Sequence, residues 1–129
     1  MRILLDTHIF LWWVKADKKL PKLSVAKIQE AEEVYVSSAS IWEIAIKMRL
    51  GKLSLDMNAL IQEMHNSHFL ELPIASRHAA ATLGLADIHR DPFDRMLIAQ
   101  AISEPLLLLT ADPKLKQYSE LVELIQSTR

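Results

Sequence analysis

The chain has 129 residues, 50% hydrophobic and 24% charged, which is the composition of one globular domain spanning residues 1–129 rather than of a disordered segment. It has no cysteine, which excludes disulfides and thiolate zinc sites and suits a reducing cytoplasm. Its 15 basic and 16 acidic residues leave a net charge of −1, so bulk charge alone offers nothing to a nucleic acid.

Some charge is nevertheless clustered. Lys15, Lys18, Lys19 and Lys22 form one basic group and Lys47, Arg49 and Lys52 another, although solvated faces account for both equally well. If four acids were withdrawn as metal ligands, an excess of three positive charges would remain elsewhere. The apolar run from Ile3 to Val14 is broken by Asp6 and His8 and has no charged leader, so no signal peptide is expected. No stretch approaches the roughly 20 apolar residues that cross a bilayer. A soluble, cytoplasmic protein is expected.

In chain order, Arg2–Asp6 reads as a short buried strand, followed by a helix from Thr7 to about Val14. A second helix follows Pro21, with Ser24 as its candidate cap. Val34–Ser37 is β-branched and aromatic, hence a second strand. Helical spacing of Ile41, Ile44, Ala45 and Met48 predicts a helix over Ser40–Leu50, with Gly51 at the left-handed C-terminal cap. Asp56 to about Ser67 is a further helix, and Phe69–Leu72 a third strand ended by Pro73. Ser76–Leu83 is helical, and Asp91-Pro92 opens a helix through Ala101, proline costing nothing at the first helical position. Pro105–Thr110 holds four consecutive leucines, as a strand buried on both faces requires. A helical turn follows Asp112-Pro113, and Leu121–Ile125 is a candidate edge strand. No repeat or linker interrupts the series. Strands alternating with helices predict an α/β fold with a parallel sheet covered on both sides.

That topology gathers four acids. Asp6 ends the first strand and Asp112 follows the leucine strand. Glu43 and Asp94 lie in the first turns of helices, and such helices begin at the carboxyl edge where open α/β sheets bind ligands. Structural roles compete for each acid. Ser40-Ile41-Trp42-Glu43 and Asp91-Pro92-Phe93-Asp94 both have capping-box spacing, while Asp6 and Asp112 suit turns. Four carboxylates in one pocket stay ionised only beside a positive charge, and an all-oxygen ligand set favours Mg²⁺ or Mn²⁺. Such a site suits phosphoryl chemistry.

Other chemistries find less support. The five histidines show no metal-binding spacing, although His65 and His68 could share a helix face and His8 lies close to Asp6. Two glycines allow neither a phosphate loop nor a dinucleotide turn, and no GxSxG elbow is present. A phosphatase of the haloacid-dehalogenase type needs an acid two residues after the first strand-end Asp, where His8 stands. Phe10, Leu11, Trp12 and Trp13 carry more apolar bulk than one buried stripe uses, which predicts a dimer or partner contact.

Four stretches resemble the PIN-domain family, and within it the VapC-type toxins of bacterial toxin–antitoxin pairs. They are Leu4-Leu5-Asp6-Thr7-His8, Ser37-Ser38-Ala39-Ser40-Ile41-Trp42-Glu43-Ile44, Asp91-Pro92-Phe93-Asp94-Arg95-Met96-Leu97-Ile98-Ala99-Gln100-Ala101 and Leu109-Thr110-Ala111-Asp112. Each is weak alone; in this order across nearly the whole chain they are fairly specific. The resemblance implies a three-layer α/β/α sandwich with strand order 3-2-1-4-5. It implies Mg²⁺- or Mn²⁺-dependent hydrolysis of RNA phosphodiesters by metal-activated water, leaving 5′-phosphate and 3′-hydroxyl ends. It also implies a small cognate antitoxin, while the apolar bulk of the first helix makes a homodimer a further expectation. Asp6, Glu43, Asp94 and Asp112 take the family's acidic positions as catalytic and metal-binding residues, with Thr7, Thr110 and Asp91 supporting them. Arg95 replaces the small residue often found beside the third acid, leaving open a phosphate contact or a solvent-facing role. A catalytically silent PIN-like interaction module and a metal-dependent phosphatase of another α/β family remain as alternatives.

Overall fold

A computed structural model describes residues 1–125. The elements run β1 (Arg2–Leu5), α1 (Thr7–Lys15), α2 (Lys22–Glu30), β2 (Glu33–Ser37), α3 (Ser38–Arg49), α4 (Met57–Asn66) and β3 (Leu70–Leu72). There follow α5 (Ser76–Ala81), a 3₁₀ turn (Thr82–Gly84), α6 (Pro92–Ser103), β4 (Leu107–Thr110), α7 (Pro113–Lys116) and β5 (Val122–Leu124). The five strands form one sheet ordered β3-β2-β1-β4-β5, as expected, and every pairing is parallel.

The two faces of the sheet bury different sets of side chains, because successive strand residues point to opposite sides. Ile3, Leu5 and Leu109 pack with Ile9 and Phe10 of α1, Ile28 of α2, Ile44 of α3 and Leu60 of α4. Leu4 and Leu108 pack on the opposite face with Leu97 and Ile98 of α6 and with Leu115. The central pair β1 and β4 is thus covered on both sides, which explains their unbroken aliphatic runs. Where β1 and β4 end, the chain turns into Asp6 and toward Asp112, and both strands end at the same edge because they are parallel.

Several local expectations need correction. Helix α2 begins at Lys22 behind Pro21, with no side-chain cap, and Ser24 is a buried residue inside it. Helix α3 begins at Ser38 instead of Ser40. The Ser37 hydroxyl caps it by accepting from the Ala39 N–H at 3.0 Å, so Ser40 and Glu43 form no capping box. His65 and His68 do not share a helix face, because α4 ends at Asn66 and His68 has φ +61°. Residues 76–83 divide into α5 and the tighter 3₁₀ turn. Gly51 does take the left-handed position, with φ +74°. The Lys52 N–H there reaches the Lys47 carbonyl at 2.8 Å, closing α3 in a Schellman arrangement.

A candidate metal centre at the carboxyl edge

Asp6 is where the site and the fold share a side chain. It is 4% exposed and caps α1, Oδ1 accepting from the Ile9 N–H at 3.1 Å. Its Oδ2 accepts from the Thr110 hydroxyl at 2.5 Å, and the Thr110 hydroxyl oxygen in turn accepts from the Asp112 N–H at 3.1 Å. The ends of β1 and β4 are thereby tied together through one hydroxyl. Burial pushes the Asp6 carboxyl above the usual carboxylate range, against the opposing pull of the Thr110 hydroxyl, the Ile9 N–H and His8.

Glu43 comes from α3, whose start is held by the Thr7 hydroxyl donating to Ser40 Oγ at 2.8 Å. That buried contact between α1 and α3 uses the hydroxyl that a capping box would need. The Glu43 side chain is buried: Oε2 pairs with Lys47 Nζ at 2.9 Å, one helical turn on, while Oε1 has no hydrogen-bond partner among the described residues. Lys47 therefore turns to Glu43 rather than joining Arg49 and Lys52 on a solvated face.

Asp94 stands in the first turn of α6. Asp91 caps that helix, its Oδ1 accepting from Phe93 N–H at 2.8 Å and Asp94 N–H at 3.1 Å. The Asp94 carboxylate does not return a bond to the cap; its Oδ2 lies 2.9 Å from Nε2 of His89. Burial and the charge of Asp91 push Asp94 up to about 6, His89 opposes this, and the charges of Asp6 and Glu43 raise it further. Asp94 thus feels three other acids: Asp91 of its own helix cap, Asp6 beyond β1 and Glu43 in the second turn of α3.

Asp112 caps α7, accepting from the Lys114 N–H at 2.9 Å. One ligand atom from each of His89, Asp94 and Asp112 falls within 4.8 Å of the others. Spacing gave no reason to single out His89, which approaches Asp94 from an irregular loop. The position of Lys47, four residues after Glu43 on one helix face, was a legible signal. Arg95 meets neither of its two expected roles: its guanidinium turns back onto the carbonyls of Thr82, Ala86 and His89.

These donors fit a hard divalent cation. Carboxylate oxygens dominate, and among the described residues no cation pairs with buried Asp6 and the buried Oε1 of Glu43 lacks the partner that such an oxygen requires. Three helix N-termini, those of α1, α6 and α7, open at the same edge and favour negative charge there.

Because α3 begins at Ser38, Glu43 lies in its second turn and not, as the sequence suggests, in the first. A parallel sheet in this order, with acids at the ends of β1 and β4, in the second turn of α3 and in the first turn of α6, defines a class that comparison with known proteins identifies. Residues 3–121 match the family described as PIN domain. The chain belongs to the PIN-domain family. It is 28% identical over 119 residues to Ribonuclease VapC22 of Mycobacterium tuberculosis (strain ATCC 25618 / H37Rv), covering 90% of this chain and 91% of that protein. Among solved structures it is similar to VapBC2 from Rickettsia felis bound to a promoter DNA fragment, at TM-score 0.73 and 15% identity over 98% of this chain and 100% of the other. A toxin–antitoxin complex from Klebsiella pneumoniae is similar at TM-score 0.69 and 16% identity, over 98% and 99% of the two chains. At those identities the structural likeness speaks for the fold.

Proposed function

We propose that this chain is a Mg²⁺- or Mn²⁺-dependent endoribonuclease and the toxin of a toxin–antitoxin pair. The observation that carries the reading is the convergence on Asp94 of negative charge from Asp6, Glu43 and Asp91, with Asp112 at ligand distance, in a PIN-domain chain. The relative named as a ribonuclease supports RNA as the substrate class.

A bound divalent ion supplies a lowered water pKa and neutralises charge at a phosphodiester. Asp6, Glu43, Asp94 and Asp112 would hold it. Thr110 fixes one oxygen of Asp6 and the backbone of Asp112 together, so these two acids keep their spacing. Thr7 fixes the start of α3 and with it the helix that carries Glu43. Asp91 anchors the first turn of α6 and with it the Asp94 carboxyl. Lys47 balances Glu43 from the protein side.

For the antitoxin, Trp12, Trp13, Leu20, Pro21 and Val25 line an open groove of about 590 Å³. Phe10 and Leu11 are core residues, so the excess apolar bulk of α1 falls on the two tryptophans. Trp42, Ile46 and Leu50 form an exposed stripe along α3 that supports a second copy as the dimer partner. Among the described residues no helix is long and apolar enough to cross a membrane, and the absence of cysteine favours the cytoplasm.

The test is cleavage of end-labelled RNA by purified protein with Mg²⁺, with Mn²⁺ and with excess EDTA, beside Asp6→Asn and Asp94→Asn. Metal-dependent cuts leaving 5′-phosphates, lost in both variants, are expected. Cleavage that persists in excess EDTA, or that survives Asp94→Asn, overturns the reading.

A further inference from the structure

Between Leu85 and Asp91 the chain forms neither helix nor strand, yet this segment delivers His89 to Asp94. Backbone carbonyls outside regular structure still need donors. Arg95, one residue past Asp94 on α6, supplies them. Its Nη1 donates to the Ala86 carbonyl at 2.9 Å and the His89 carbonyl at 3.3 Å, and its Nη2 to the Thr82 carbonyl at 3.1 Å and the Leu85 carbonyl at 3.5 Å. Tyr118, from the connection between α7 and β5, completes the set. Its hydroxyl accepts from the His89 N–H at 2.7 Å and lies 3.3 Å from Arg95 Nη1. His89 is therefore held at both its N–H and its carbonyl, and only its imidazole reaches outward, to Asp94.

We propose that Arg95 is a positioning residue that, with Tyr118, folds the 82–89 segment around its guanidinium and so sets the His89 imidazole against Asp94. A planar fork with five donors can serve carbonyls in several directions at once, which a lysine ammonium on its flexible stem does not match. Both terminal nitrogens are committed to protein oxygens, so the head is not offered to a phosphate. His89 takes one oxygen of Asp94, leaving the second for an ion, and so controls how that carboxylate is presented. The effect on ion binding rests on the metal-centre reading above; the placement of His89 does not.

The experiment uses the whole chain, metal-free and then with Mn²⁺. In metal-free protein at fixed pH, the side-chain ¹⁵N and Nε2-proton signals of His89 are recorded against those of exposed His8. Arg95→Met should erase the hydrogen-bonded signature and move the His89 signals toward those of His8, with Arg95→Lys restoring it only in part. By calorimetry, Mn²⁺ affinity should fall about 10-fold or more, the usual scale for residues that orient ligands. His89→Ala should lose a similar amount, and adding Arg95→Met to it should cost little further. Should Arg95→Met fail to fold, Tyr118→Phe, which removes the acceptor for the His89 N–H, carries the same comparison. Unchanged His89 signals in the variants, or losses that simply add in the double variant, overturn the proposal. A wild-type chain that binds no Mn²⁺ overturns the metal centre instead, while the His89 signals still decide the role of Arg95.

Discussion

Replacing Asp6 by asparagine should make the metal-free protein more stable and the ion unable to stabilise it. The amide keeps an oxygen for the Ile9 N–H, and asparagine caps helices as well as aspartate does. The Thr110 hydroxyl can reverse and accept from the amide NH₂, so both buried contacts survive. What disappears is a buried negative charge that raises Asp94. Relieving one repulsion between like charges at an effective dielectric of about 20 is worth on the order of 2 kcal/mol. For a chain of this length, recovering that amount raises Tm by roughly 5–10 °C. Scanning calorimetry at pH 8 reads the gain. The same scans with Mn²⁺ should show the wild type stabilised by about 2.7 kcal/mol at 100 times Kd, and Asp6→Asn not at all. The Asp94 carboxyl of the variant should titrate below about 6. A variant that melts lower than wild type in the absence of metal yet still gains stability from Mn²⁺ would show that Asp6 is a structural acid and refute the reasoning.

The raised Asp94 carboxyl also gives a pH dependence. Its folded-state pKa of about 6 exceeds its ordinary 3.8, so the folded protein holds the proton more tightly. That contribution is complete below about pH 3.8 and is lost as pH rises through about 6. Metal-free Tm should therefore fall across this window, with a smaller slope in Asp94→Asn, while Mn²⁺ affinity rises over the same range. Lys47→Met strips Glu43 of its ion-pair partner and should cost about 1–2 kcal/mol in urea unfolding, with Mn²⁺ restoring more stability than in wild type. Gly51→Ala meets open space, so its cost is the backbone conformation alone, about 1 kcal/mol by the same measurement.

What the sequence discloses here is what short-range physics governs. The leucines of β4, the aliphatic run of β1 and the alternation with amphipathic helices specify a parallel sheet, and that sheet alone brings Asp6 and Asp112 to one edge. The start of α3 was harder to place because Ser37, Ser38 and Ser40 are all good caps. The choice depends on Thr7, 33 residues away, which takes the Ser40 hydroxyl. His89 was illegible for the same reason: its place is set by Arg95 and by Tyr118, 29 residues on, not by any spacing of its own. Asp91 was legible as a cap because its bonds span only two and three residues.

Asp6 and Asp112 each commit one carboxyl oxygen to opening a helix. One atom is thereby anchorage, and in Asp6 the other is held by the Thr110 hydroxyl, so these side chains keep their aim when no ion is present. Under the proposed function, a cation arriving from solution would find them already aimed. The same arrangement makes the acids hard to relocate, because moving either one removes the cap of a helix.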